Sequence, residues 1–63
     1  MTDQLMTVEE VAQFLNVNPM TVYRMLKRKA IPAYKVANQW RFDRAELNAW
    51  LARNRVDADS DIA

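Results

Sequence analysis

The side chains of this 63-residue chain that can do chemistry are its arginines and lysines. The chain contains no histidine, no cysteine and no glycine. Those absences remove the commonest general base, the thiolate nucleophile and any glycine-rich phosphate loop. The remaining carboxylates are scattered, and most of them are explained as helix caps. We therefore expect a binding protein without catalysis, metal or cofactor.

The cations are concentrated in the middle of the chain. Residues 24–44 carry seven basic side chains against the single acid Asp43, whereas residues 1–23 carry three acids and no base. The formal net charge of +1 hides this division. A one-sided central segment between acidic ends favours contact with a polyanion, although a solvated surface is the alternative interpretation of any single charge run.

A first helix is predicted over residues 8–15. Thr7-Val8-Glu9-Glu10 has the form of a capping box, in which the threonine and Glu10 each satisfy a backbone N–H at the helix start. Apolar residues follow at helical spacing. Asn16 stands where the helix must end, and asparagine tolerates the left-handed conformation better than other non-glycine residues.

A second helix is predicted to begin at Asn18-Pro19, because asparagine is a strong N-cap and proline is favoured at the first helical position. Its apolar stripe consists of Val22, Met25 and Leu26. Pro32 lies three residues past Lys29, which indicates an end near there. Two short helices joined by a short turn are the skeleton of a helix-turn-helix.

Residues 33–42 alternate in character and predict a β-hairpin. A two-residue loop at Ala37-Asn38 would mix aromatic and charged side chains on both faces, since the side-chain period of a strand is two. A three-residue loop over 36–38 instead places Tyr34 opposite Trp40, with Phe42 on the same face. We therefore expect a three-residue loop with positive φ at Asn38. The aromatic side chains would then belong to the core.

A third helix is predicted over residues 44–53, opened by the capping box Asp43-Arg44-Ala45-Glu46. Its inner face would carry Leu47, Trp50 and Leu51. Residues 54–63 contain three aspartates and almost no large apolar side chain, and we expect a disordered tail or a linker to a further effector domain. The predicted fold is mainly α with a small β-hairpin. It is a winged helix-turn-helix in one domain, residues 1–53, in the order helix, helix, hairpin wing, helix.

The segment from Leu5 to about Leu51 resembles the excisionase-type branch of the MerR-like winged-helix DNA-binding domains. The stretches that carry the resemblance are TVEEVA at 7–12, TVYR at 21–24, IPA at 31–33 and WRF at 40–42. The resemblance implies that the second helix enters the DNA major groove and that the wing approaches the adjacent backbone or minor groove. Family members commonly have glycine where this chain has Asn16, Lys29 and Ala37-Asn38. Because a left-handed lysine costs roughly 1 kcal/mol, we expect the second helix to end one turn later or through a different cap.

The predicted DNA contacts lie on the second helix and on the wing. On the helix, basic side chains would contact phosphates or guanine edges: Arg24, Lys27 and Arg28. Its first turns, where base contacts concentrate in helix-turn-helix proteins, add four residues: Asn18, Met20, Thr21 and Tyr23. Met20 would touch a thymine methyl, with the equal alternative of an exposed methionine that has no role. Asn18 has the alternative of serving only as a cap. The outward face of the wing adds Lys35, Gln39 and Arg41.

The predicted function is sequence-specific binding of double-stranded DNA, by an excisionase-like recombination factor or a transcription regulator. A domain this small contacts few base pairs, so tight binding calls for self-association, cooperative neighbours or a second domain. The alternative is a protein-interaction module whose basic face binds an acidic protein partner. The chain has no signal peptide and no apolar run of roughly 18 residues, so we expect a cytoplasmic protein without a membrane partner.

Overall fold

The computed structural model describes residues 5–56, which fold as three helices and a three-stranded antiparallel sheet. The elements in chain order are β1 (Leu5–Met6), α1 (Val8–Leu15), α2 (Pro19–Lys27), β2 (Tyr34–Val36), β3 (Gln39–Asp43) and α3 (Arg44–Arg53). This architecture confirms the predicted winged helix-turn-helix, and the three helices have nearly the predicted bounds. β1 is an addition that was not predicted. Residues 57–63 of the predicted tail lie outside the described residues.

The predicted capping box of α1 is present. The Glu10 N–H donates to Thr7 Oγ1 at 3.1 Å, and the Thr7 N–H donates to Glu10 Oε1 at 2.9 Å. At the other end Asn16 adopts the left-handed conformation with φ 61°. The Val17 N–H then donates to the carbonyl of Ala12 at 2.9 Å. Asparagine thus supplies the left-handed residue that glycine usually supplies at a helix end.

α2 ends through a left-handed residue at the position where glycine is usual, although this chain has Lys29 there. Lys29 has φ 57°. Its N–H donates to Leu26 O at 3.0 Å, and the Ala30 N–H donates to Met25 O at 2.9 Å, which is the bond pair of a Schellman motif. The expected later ending or different cap is therefore wrong. The two bonds satisfy carbonyls at the helix end and offset the cost of about 1 kcal/mol for a left-handed lysine.

The wing is the hairpin of β2 and β3, and its loop has two residues rather than the predicted three. Tyr34 pairs with Arg41 and Val36 with Gln39. Ala37 and Asn38 both have positive φ, at 50° and 64°, as a type I′ turn requires. Positive φ at Asn38 is confirmed, but the predicted register is wrong. The type I′ turn is preferred because its twist matches the right-handed twist of the strands.

The corrected register changes which side chains share a face of the wing. Lys35 now pairs with Trp40 and lies on the face that also carries Phe42, while Tyr34 lies on the other face with Arg41. The predicted separation into one aromatic and one cationic face does not occur. Tyr34 is 46% exposed and therefore does not belong to the core.

The core lies where α1, α2, β3 and α3 meet. Its buried side chains are Met6, Val8, Val11, Ala12, Val22, Ile31, Phe42 and Leu47. Trp40 and Trp50 pack against this cluster and are partly buried. Leu51, predicted on the inner face of α3, is instead 37% exposed. β1 pairs with β3 on the side opposite β2, so Leu5 and Met6 are tied to the wing.

Candidate nucleic-acid interface

The outward side of α2 is basic and exposed. Val22 anchors the helix with a fully buried side chain. The three predicted basic contacts, Arg24, Lys27 and Arg28, are all exposed. None of them forms an ion pair with any of residues 5–56. The cations of α2 are therefore available to an external anion without first breaking a contact inside the described part of the chain.

The first turns of α2 present a mixture of polar and apolar groups. Met20 is 59% exposed and Tyr23 is 45% exposed, so both can reach a ligand. Thr21 is half-buried, and its N–H donates to the carbonyl of Asn18 at 2.8 Å. The Asn18 side chain accepts from the Met20 N–H at 3.1 Å. Asn18 thus caps the helix, which was its alternative role.

Arg41 of the wing is held by two acceptors from its own strand. Its guanidinium donates to the Trp40 carbonyl at 2.7 Å and to Gln39 Oε1 at 2.6 Å. A guanidinium has five N–H donors in a fixed fork, so several remain for a ligand. Because the side chain is half-buried and doubly bonded, little rotamer entropy remains to be lost when a ligand binds.

Lys35 lies on the opposite face of the wing from Arg41, not beside it as predicted. Its Nζ is 4.3 Å from the centroid of the Trp40 ring. That distance is within the range of a cation–π interaction. Lys35 is exposed, so its ammonium stays accessible while its aliphatic stem covers the indole.

A cleft of about 410 Å³ joins α2 to the wing. Its lining residues are Thr7, Val8, Glu9, Tyr23, Asn38, Gln39, Trp40 and Arg41. The cleft brings the predicted contacts Tyr23, Gln39 and Arg41 into one concave surface, although they lie up to 18 positions apart in sequence. Glu9 is an acid in this surface that sequence reasoning assigned only to the start of α1.

Tyr34 makes a link that no sequence pattern indicated. Its hydroxyl donates to Glu46 Oε2 at 2.7 Å, which ties β2 to the first turn of α3. This hydrogen bond, together with the negative charge of Glu46, raises the pKa of the Tyr34 phenol above its usual 10.0. The acceptor stands 12 positions away, and only the folded chain brings it near.

Two further classes of site find no support in the part of the chain that the structure describes. Residues 5–56 contain no group of three or more acidic, histidine or cysteine side chains that would hold a metal ion. None of the helices among these residues is long and apolar enough to cross a membrane. The candidate site is the basic surface of α2 and the wing, whose cations are described above.

Comparisons with known proteins show the family to which the chain is similar. A family model described as "Helix-turn-helix domain" matches residues 5–55. The chain is 40% identical over 50 residues to the uncharacterized protein YvgK of Bacillus subtilis, with 79% of this chain and 16% of that protein covered. It is 36% identical over 55 residues to two proteins of Mycobacterium tuberculosis, "Putative DNA-binding protein Rv0500A" of strain H37Rv and its counterpart MT0521 of strain CDC 1551.

The extent of these matches differs between the relatives. The mycobacterial alignments cover 87% of this chain and 70% of each relative. The Bacillus protein is much longer, so only a small part of it corresponds to this chain. No solved structure matches the chain significantly.

Proposed function

The chain belongs to the helix-turn-helix domain family, which agrees with the resemblance drawn from its motifs, and we propose that it binds double-stranded DNA in a sequence-specific manner. In this proposal α2 enters the major groove. Its first turns present Met20 and Tyr23 to base edges, and Arg24, Lys27 and Arg28 contact guanine edges or phosphates. The wing contacts the adjacent backbone or minor groove through Arg41, which Gln39 orders, and through Lys35 on its other face.

The observation that carries the proposal is the position of Arg24, Lys27 and Arg28. All three project from the exposed side of α2, and none is paired within residues 5–56. The cleft beside them holds a guanidinium, Arg41, that is already ordered by its own strand. A preformed cationic surface of this kind suits the phosphates of a duplex, which supply most of the affinity in protein–DNA complexes.

The proposal covers two biological roles, that of a transcription regulator and that of an excisionase-like factor in recombination. The two mycobacterial relatives carry DNA-binding in their printed names, which supports the shared chemistry and not one role over the other. Mapping where the protein sits on its own chromosome separates the roles. Occupancy at promoters supports regulation, whereas occupancy confined to recombination sites supports the excisionase-like role.

The test begins with selection from a pool of random duplexes, followed by fluorescence-anisotropy titration of the enriched duplex at two salt concentrations. We expect enrichment of a defined sequence and an affinity that falls steeply with salt, because bound cations release condensed counterions. If no duplex binds even at low salt, the proposal is wrong. Binding of an acidic protein under the same conditions would then favour the protein-interaction alternative.

Arg24→Ala provides the residue-level test. We expect weaker DNA binding with an unchanged melting temperature, because the side chain is exposed. Arg44→Ala is the matched control. Arg44 lies with its guanidinium carbon 5.7 Å from the Phe14 ring centroid, in a depression that shares no lining residue with the cleft between α2 and the wing. Equal losses of affinity in the two variants would contradict the assignment of the α2 surface.

A further inference from the structure

The last turn of α3 is hydrogen-bonded to the segment that follows α2, and we call the region of Lys29 and Arg53 the corner. The Trp50 indole N–H donates to the carbonyl of Ala30 at 2.9 Å, across 20 positions of sequence. Arg53 follows Trp50 by one helical turn and lines a depression of about 270 Å³ together with Pro32. Lys29 directly precedes Ala30. The hydrogen bond therefore places the last turn of α3, which continues to Arg53, beside the segment after α2, which contains Lys29.

The backbone of Lys29 is unusual for a lysine. Its φ of 57° is the left-handed conformation that glycine adopts without steric cost. The carbonyls at the end of α2 would be satisfied equally well with glycine at this position, since the Schellman bonds involve only backbone atoms. A lysine thus occupies this position at a backbone cost that glycine would avoid, and a backbone outlier motivates the hypothesis of a role for its side chain.

The corner is cationic in the folded chain. Lys29 and Arg53 are both exposed, and neither forms an ion pair with another described residue. Glu46 also lines the depression beside Arg53 and keeps its negative charge while its carboxylate accepts the hydroxyl of Tyr34, so one acid stands against the cations here. The neighbouring Arg28, which caps α2, adds a further positive charge. Sequence reasoning assigned neither Lys29 nor Arg53 to the site.

We propose that Lys29 and Arg53 form a second contact to the DNA backbone, separate from the contacts that α2 makes inside the groove. This proposal rests on the proposed DNA binding. α2 has nine residues and is about 14 Å long at 1.5 Å per residue, while the major groove is about 12 Å wide. A helix whose first turns reach base edges therefore has its end near the groove edge, where phosphates lie. Lys29 and Arg53 contact phosphates and not bases, so they add affinity for DNA of any sequence.

The test is the salt dependence of binding to one selected duplex, measured by anisotropy for Lys29→Gly and Arg53→Gln. Each lost phosphate contact lowers the magnitude of the slope of log affinity against log salt by about 0.9. We expect that decrease in both variants, with a severalfold loss of affinity at moderate salt. Lys29→Gly should at the same time raise the melting temperature, because glycine relieves the left-handed backbone. A purely structural role for Lys29 predicts the rise without the change in slope.

Two variants serve as matched controls. Lys29→Arg keeps the charge and the left-handed backbone, and we expect it to retain the slope of the unchanged protein. Arg44→Gln removes a cation outside the corner and outside the cleft, and should leave the slope unchanged. Suppose that the unchanged protein binds the duplex with a steep slope of log affinity against log salt, and that Lys29→Gly and Arg53→Gln have the same slope. The corner contact is then wrong, and the proposed function stands. If the unchanged protein binds no duplex, the proposed function itself fails.

Discussion

Lys35 and Trp40 are cross-strand partners in the wing, and the lysine ammonium lies 4.3 Å from the centroid of the indole ring. The pairing follows from the two-residue turn, which places both side chains on the same face as the buried Phe42. The lysine stem therefore covers apolar surface near the tip of the wing, while its charge remains in water. A side chain assigned to DNA contact thus also contributes to the packing of the wing.

We expect Lys35→Met to destabilise the domain by about 0.5 kcal/mol, because it removes an exposed cation–π interaction while keeping much of the apolar stem. Urea unfolding followed by tryptophan fluorescence measures the loss. A double-mutant cycle with Trp40→Leu isolates the pairwise part. Additive effects of the two substitutions would show that the contact contributes nothing to stability.

The turn of the wing offers a stabilising change. Ala37 has φ 50° and Asn38 has φ 64°, whereas the preferred pair in a type I′ turn is Asn-Gly. Replacing both, Ala37→Asn with Asn38→Gly, should stabilise the domain by about 1 kcal/mol, since each change reduces left-handed strain. Thermal unfolding measures the gain.

A three-residue loop would have left Ala37 at negative φ, and that difference supplies the control. At a position with negative φ, Ala37→Gly only increases the conformational entropy of the unfolded chain, and the free energy of unfolding falls. With the observed turn, the same substitution relieves strain and should not lower it. A clear loss of stability in Ala37→Gly would contradict the two-residue turn.

The helix bounds were predictable because they depend on local chemistry. The Thr7–Glu10 capping box and the Asn18-Pro19 pair each act within three or four residues, and the structure confirms both. β1 was not predicted, because two residues carry no detectable period and the strand exists only by pairing with β3. Local signals therefore indicated the fold class and three helices, but not how the sheet is completed.

The register of the wing was mispredicted for a physical reason. The three-residue loop was predicted because charged and aromatic side chains were expected on different faces of the wing. On the inner face the Lys35 ammonium lies over the Trp40 ring, and on the outer face the Tyr34 hydroxyl donates to Glu46. Because these side chains are amphipathic, charged and aromatic residues can share each face of the wing. The end of α2 was mispredicted similarly, because the backbone bonds of Lys29 and Ala30 outweigh the conformational cost of a left-handed lysine.

Arg41 is ordered by Gln39, and this leads to a prediction for DNA binding. Gln39→Ala removes the acceptor that holds the guanidinium at 2.6 Å. The guanidinium then keeps only its bond to the Trp40 carbonyl, and the freedom it regains must be lost again on binding, which costs at most about 0.5–1.5 kcal/mol, or roughly a 2- to 10-fold loss of affinity. Anisotropy with one selected duplex measures the loss.

The background variant Arg41→Ala separates this indirect effect from a direct contact by Gln39. In that background there is no guanidinium to order, so Gln39→Ala should cause no further loss. If Gln39→Ala weakens binding equally with and without Arg41, the glutamine contacts DNA itself and does not act through the arginine.

The hydrogen bond from Tyr34 to Glu46 predicts a pH dependence of stability at the alkaline end. The bond requires the neutral phenol, so the pKa of Tyr34 in the folded protein lies above the usual 10.0. Below pH 10 the phenol keeps its proton in both the folded and the unfolded chain, and the contribution to stability is fully present. As pH rises from 10 toward the folded-state pKa, the unfolded chain loses the proton first, so the free energy of unfolding falls.

Tyr34→Phe isolates this effect, because it lacks the titrating group while keeping the ring. Urea midpoints of both proteins should be measured between pH 8 and pH 11.5, so that every pH effect common to the two proteins cancels in the difference. We expect the unchanged protein to lose its advantage over Tyr34→Phe above pH 10, and Glu46→Gln to reduce the advantage below pH 10. A difference between the unchanged protein and Tyr34→Phe that stays constant across this range would mean that the phenol does not donate to Glu46 in solution.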